Sequence, residues 1–368
     1  MLLPLRAQEV PPNRIEALQA RLERGEVTLT YDPAGNGYVR SLLQALHIPE
    51  ESQVLPFTRS SFLANLISPK TPRAIYFNDD VAVGVARGGR LIEIITNDSN
   101  GGPAFYTLAT APTAQPRFEP EVALCTFCHN RTSPAASLWM IANIPAHAGG
   151  EPMRISRTDP GFDFTDHATP FEDRWGGWYV TGHTGAMRHR GNVTLAPGAK
   201  ELPTDQGLNV TDLSGRIDPA QYLQSSSDVV ALMTLEHQAG FINRAATLNA
   251  EYSDARADAL ADYMTFAEEV PLPGPVQGNS RFAARFAAMG ARDSAGRSLR
   301  DHDLATRLFR HPLSYMIHSD AFAALTPQAK TQVWKRIEAR LSQSTQGRAA
   351  MAIAAATGRG APPAWKTP

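Results

Sequence analysis

Residues 125–129 read Cys125-Thr126-Phe127-Cys128-His129 and contain both of the chain's cysteines. Two thiols at this spacing can add to the two vinyl groups of one porphyrin, and the adjoining imidazole then lies beneath the iron as its proximal ligand. Shuffling the same composition gives this pattern roughly once in several thousand arrangements, so chance is a poor explanation. Two other chemistries use such a pair. A thioredoxin-like dithiol opens a helix after a strand in a βαβ unit, whereas residues 114–120 carry Pro116 and Pro120 and read as loop. A structural zinc site needs two further ligands, commonly a second Cys/His pair at short spacing, and the sequence has no second cysteine pair. The spacing points to one covalently bound haem c, anchored at Cys125 and Cys128 with His129 on the iron.

The identity of the iron's other axial ligand decides what such a group can do: a second His gives low-potential electron transfer, Met raises the potential, and a vacancy permits ligand chemistry. His237 recurs with Val230, Met233 and Phe241 on one apolar helix face, and Leu232, Leu235 and Ile242 occupy the other, so the helix is expected to be buried on both sides. A buried neutral imidazole needs a partner for each ring nitrogen, and iron plus one hydrogen bond would supply both. A hydrogen-bonded core histidine is an equal reading. Met233, one turn earlier, and Met140, eleven residues past His129, are within reach of the same role, although core packing is the commoner use of methionine. His183 and His189, together with Trp178, Arg174 and Arg188, could line the pocket, because an arginine fork matches a haem propionate. The expected set is therefore His237, Arg174 and His183 for catalysis; Cys125, Cys128, His129, Arg174, Arg188 and Trp178 for cofactor binding; and His129 with His237 on the metal.

Blander features accompany these. Glu172 and Asp173 beside Arg174 read first as a surface charge cluster and second as a general acid/base feature, and Asn78-Asp79-Asp80 reads equally as a turn or as oxygen ligands for a cation. His147, His167, His302 and His311 show nothing beyond what surface residues would.

The elements that must position this chemistry are an antiparallel sheet and a set of helices. Asn13 with Glu16 forms a capping box and Gly25 a stop, predicting a helix over 14–24; a second covers 39–46. Short β-prone runs at 74–77, 81–85, 91–95 and 104–108, separated by Asn-Asp and Gly-Gly turns, predict a small sheet before the haem motif. Residues 150–198 read as loops with a local hairpin around 175–181. From Asp218-Pro219 onward the pattern is helical, at 227–250, 254–268, 281–289, 299–310 and 327–342, with a disordered Pro-bearing tail. The fold class is α+β, β-rich first and helical second, around one cofactor. Its expected segments are 1–8 (a signal-peptide remnant), 9–115, 116–218 (haem attachment), 219–345 and a helical to disordered 346–368.

The 368 residues are 43% hydrophobic with net charge −1, enough for a buried core and unlike a globally basic nucleic-acid binder. Nothing approaches the ~18 consecutive apolar residues of a membrane span. Met1-Leu2-Leu3-Pro4-Leu5-Arg6-Ala7 resembles the end of an export signal, and covalent haem attachment implies a periplasmic location.

Several stretches give the chain a resemblance to a family of bacterial monohaem c-type cytochrome-domain proteins. They are Arg73-Ala74-Ile75-Tyr76-Phe77-Asn78-Asp79-Asp80, Phe105-Tyr106-Thr107-Leu108, the haem motif, Arg188-His189-Arg190-Gly191-Asn192, Leu235-Glu236-His237-Gln238 and Pro312-Leu313-Ser314-Tyr315-Met316-Ile317-His318-Ser319. The most distinctive is Pro170-Phe171-Glu172-Asp173-Arg174-Trp175-Gly176-Gly177-Trp178-Tyr179-Val180-Thr181-Gly182. The 312–319 stretch departs from the family, which carries a tyrosine where His318 stands and a cysteine where Leu313 stands. The resemblance implies haem binding and a shared fold, and no particular reaction. One iron in a chain this long, when a simple carrier needs about a hundred residues, favours an exported haem enzyme acting on peroxide or another small molecule. The alternative is an electron-transfer cytochrome or haem-based sensor that meets a redox partner protein.

Overall fold

A computed structural model describes residues 11–33, 36–99, 101–123, 125, 129, 139–153, 163–358 and 360–366. Residues 1–8, expected as a signal remnant, and Cys128 lie outside the described residues. The Asn13 side chain accepts the Ile15 and Glu16 amide hydrogens while Glu16 accepts the Asn13 N–H, so the capping box starts α1 (Arg14–Glu23). A second helix, α2 (Val39–Ala45), follows, then a two-residue strand β1 (Leu55–Pro56).

Five strands form an antiparallel meander in the order β2 (Ala74–Phe77), β3 (Val81–Val85), β4 (Leu91–Asn97), β5 (Pro103–Ala109) and β6 (Phe118–Pro120). Register assigns the two faces. Tyr76, Val83, Ile94 and Tyr106 are successive partners on one, where they join Ile15, Leu18, Val39, Leu42 and Leu43 in the first core. Phe77, Ala82, Ile95 and Phe105 form the next row on the opposite face, and the first three of these pack into the helical core.

The second half is helical, as expected. Asp228 caps α3 (Val229–Ala250), in which every residue from Val229 to Ile242 is buried. Around it lie α4 (Asp254–Met264), α5 (Phe282–Ala288), α6 (Asp320–Ala323), α7 (Pro327–Leu341) and α8 (Thr345–Thr357). No described helix is long and apolar enough to cross a membrane. The molecule is thus mixed α and β, with a β-rich first half and a helical second half.

Four expectations are corrected. Residues 299–310 are not helical: Asp303 Oδ1 accepts the amide hydrogens of Ala305 and Thr306, Leu304 takes φ +59°, and His302 bridges Phe309, so the segment folds back as a turn. The local hairpin at 175–181 does not form. Instead β9 (Trp178–Tyr179) pairs with the distant β1, and β10 (Gly182–His183) pairs with β11 (Gln277–Gly278). The tail is ordered further than its prolines suggest, because Trp365 is buried edge-on against Trp334 at 5.1 Å. Finally, the stretch before the haem motif is strand β6, whose edge position tolerates Pro120. It runs antiparallel to β5, so it does not build the parallel βαβ unit of a thioredoxin-like site.

Candidate functional site

The haem motif follows directly from β6. Ala123, Cys125 and His129 lie in helical backbone, and Cys125 and His129 are half-buried. The His129 ring packs on Phe105, centroid to centroid at 4.7 Å, which seats it at the edge of the sheet face that looks toward the helical core. Val122, three residues before Cys125, presents an exposed apolar side chain (64%). A thiol, an imidazole braced by an aromatic ring and neighbouring apolar surface fit a haem, whose macrocycle is apolar and whose iron needs a nitrogen donor. Among the described residues no group of three or more His, Cys, Asp or Glu is placed to hold a metal ion through protein ligands alone.

Trp139 is fastened to the sheet and to α3. Its N–H donates to Asn243 Oδ1 at 2.7 Å, its carbonyl accepts from Asn243 Nδ2 at 2.8 Å, and its indole N–H donates to Asn97 Oδ1 at 3.1 Å. Asn97 pairs with Pro103, so it lies on the same sheet face as Phe105 and diagonal to it, roughly 7–8 Å away. His129 and Trp139 are therefore held on one surface by neighbouring residues of two strands. Beyond Met140, the Ile141 carbonyl accepts the Thr165 N–H at 2.9 Å, and β7 (Ala142–Asn143) pairs with β8 (Asp163–Phe164).

The Trp-Gly-Gly-Trp block is the mount behind β7. Gly176 N–H donates to Asn143 Oδ1, Ile144 N–H to the Gly176 carbonyl, and Trp178 Nε1 to the Ala142 carbonyl at 2.8 Å. Gly177 sits at φ +85°, where a Cβ would lie 1.8 Å from Thr58 Oγ1 and 2.4 Å from the Ile144 carbonyl, so no other residue fits. Trp178, expected against the cofactor, is buried and engaged with this strand.

α3 contributes three consecutive buried polar side chains. Glu236 accepts from Thr165 Oγ1 at 2.6 Å and from Arg174 Nη1 at 3.1 Å. Arg174 directs its remaining donors at the backbone carbonyls of Thr169 and His167, and its guanidinium lies over Phe171 at 4.2 Å. Burial pushes the Glu236 carboxyl up to about 7 in spite of the arginine. His237 Nδ1 lies 2.8 Å from His167 Nδ1, and His237 Nε2 lies 2.7 Å from Ser314 Oγ. Ser314 Oγ already accepts the Met316 N–H, so Ser314 donates to His237 and His237 donates to His167, which leaves the buried His167 Nε2–H without a partner among the described residues. The ring of His167 stacks on Tyr263 at 3.8 Å. Burial holds both imidazoles well below the usual histidine range; next in weight come His167 for His237 and Arg244 for His167. Gln238 reaches Asp79 at 3.2 Å, and Asp79 also pairs with Arg300.

The expected site residues thus separate. The His129 ring stands against Phe105 of the sheet, while His237 and Arg174 lie in a buried polar core and are hydrogen-bonded to protein partners. His183 and Arg188 are exposed. His189 is buried, with its Nδ1 accepting the Gly191 N–H and its ring edge-on to Trp175. Met233 is core. Arg174 is no surface charge: it is buried, whereas Glu172 is exposed and Asp173, half-buried, pairs with Arg190. Sequence reasoning passed over His167, Thr165, Ser314, Asn243 and Trp139. Sequence spacing carries no signal for the first three, since their partners are about seventy residues away. No family model, curated protein or solved structure matches this chain.

Proposed function

We propose that the chain is an exported monohaem c-type redox protein, with haem bound through Cys125 and Cys128 and ligated by His129, that exchanges single electrons with a partner protein. The bound group supplies one-electron chemistry at its iron. The chain's own part is positional. The Phe105 ring braces the His129 imidazole, and Asn97 and Asn243 clamp Trp139 on the same side of the sheet. The carrying observation is the commitment of His237 and Arg174, the expected distal acid–base pair, to hydrogen bonds with Ser314, His167, Glu236 and Thr169. Side chains so engaged are not offering a proton or a cation to a substrate.

A second reading, an enzyme acting on peroxide or another small molecule, draws support from the length of the chain, which leaves material for a walled pocket. Protein matured in a host with cytochrome assembly should keep a haem-staining band after denaturing electrophoresis. Cys125→Ala with Cys128→Ala should lose it, and a colourless wild type would remove the proposal. Turnover of peroxide by the loaded protein at enzymatic rates would favour the second reading.

A further inference from the structure

We propose that Phe105 is the positioning residue of the proximal ligand: its ring sets the plane in which the His129 imidazole meets the haem iron. The inference deepens the functional reading above and rests on it, since it requires haem attachment at Cys125 and Cys128. The two rings lie 4.7 Å apart, centroid to centroid, and are tilted by 59°. That is contact range for an aromatic pair, in the inclined arrangement such rings favour. Turning the imidazole about its bond to Cβ would drive an edge into the phenyl ring or open a gap against it, so the contact opposes rotation.

The strand places Phe105 for this task. Phe77, Ala82 and Ile95 of its row pack into the helical core, and Phe105 ends the row beside Ile95. It is buried, at 8% exposure, yet among the described residues it joins neither apolar core. A buried phenyl ring outside both cores has its packing surface free for His129. The Phe105 backbone holds the other end of the same stretch: its carbonyl accepts the Glu121 N–H at 3.0 Å, one residue after β6 ends at Pro120. Residues 121–129 thus leave from the backbone of Phe105 and return to its ring, with Cys125 midway. Closing the stretch on one residue of a paired strand orders the imidazole in advance, which lowers the cost of a bond made there.

The plane of an axial imidazole decides which of two iron orbitals holds the unpaired electron in the ferric state, and contacts around a ligating histidine fix that plane. Phe105 therefore governs the direction in which an electron is offered to a partner, and it does so through His129.

The experiment uses full-length, haem-loaded protein. Phe105→Leu keeps an apolar side chain but removes the ring. It should retain the haem-staining band and the wild-type absorption spectrum, while changing the spread of the haem-methyl proton resonances of the ferric form, which follows the imidazole plane. Phe105→Met gives the same reading where Phe105→Leu does not fold. Phe105→Tyr keeps the ring and should show the wild-type spread. Ile95→Val trims a neighbour on the same sheet face and should lower stability without altering the spread, because Ile95 packs into the helical core. Wild-type resonances in the Leu and Met variants overturn the assignment, as does an equal change in Phe105→Leu, Phe105→Tyr and Ile95→Val. A wild type without covalent haem instead removes the reading beneath it.

Discussion

Replacing Arg174 by Met tests whether this arginine serves the cofactor or the core. Among the described residues the guanidinium is the sole cation within reach of Glu236 by hydrogen bond, and it also donates to the carbonyls of Thr169 and His167. Met fills much of the volume but leaves the buried Glu236 carboxyl with the Thr165 hydroxyl and no cation, and the Thr169 carbonyl without the guanidinium, while the His167 carbonyl keeps the Val270 N–H. Removing one partner of a buried ion pair costs about 3–5 kcal/mol. The carboxyl can escape part of that penalty by keeping its proton, since burial already raises it to about 7 with the arginine present. An acid whose folded pKa is raised contributes stability at pH below its unfolded value, and that contribution is lost as pH rises through the folded value. Without Arg174 the folded value rises further, so the loss in the variant should be smaller at pH 5.5 than at pH 8, by about 1.4 kcal/mol for each unit over which the carboxyl must stay neutral. Urea unfolding followed by tryptophan fluorescence, at both pH values, measures this directly; Trp175 is the adjacent reporter. The reasoning is refuted if Arg174→Met unfolds within about 1 kcal/mol of wild type while the midpoint potential of the haem shifts. That result would return Arg174 to a propionate.

His237→Leu should leave the ferric spectrum of the haem-loaded protein unchanged while costing about 2–4 kcal/mol of stability, because Ser314 and His167 lose their shared partner; conversion to a high-spin spectrum would place His237 on the iron after all. Both buried histidines have folded pKa values below the ordinary 6.5, so their contribution is full above 6.5 and falls as pH drops below it. Glu236 and Asp80, each raised to about 7 by burial, act in the opposite sense. The double variant His167→Phe/His237→Leu should therefore gain stability relative to wild type between pH 7 and pH 5, read from thermal midpoints, and a parallel pH profile would contradict the assignment. Asn13→Ala removes the α1 cap and the bond to Tyr106 and should cost about 1 kcal/mol in chemical denaturation.

The residues themselves determined what is local. The haem motif is five adjacent residues, the capping box three apart, and the first four strands of the meander are joined by turns marked by Asn, Asp and Gly. The burial of α3 on all sides was equally legible, because apolar residues recur on both of its faces. Tertiary structure decided everything that depends on partners far along the chain. It turned the expected hairpin at 175–181 into a mount for β7, since Gly177 has room only where Thr58 and Ile144 close over it. It closed His237 between Ser314 and His167, and it drew Arg174 inward to Glu236. The same apolar periodicity serves an iron ligand and a core histidine alike, so no pattern along α3 could choose between them.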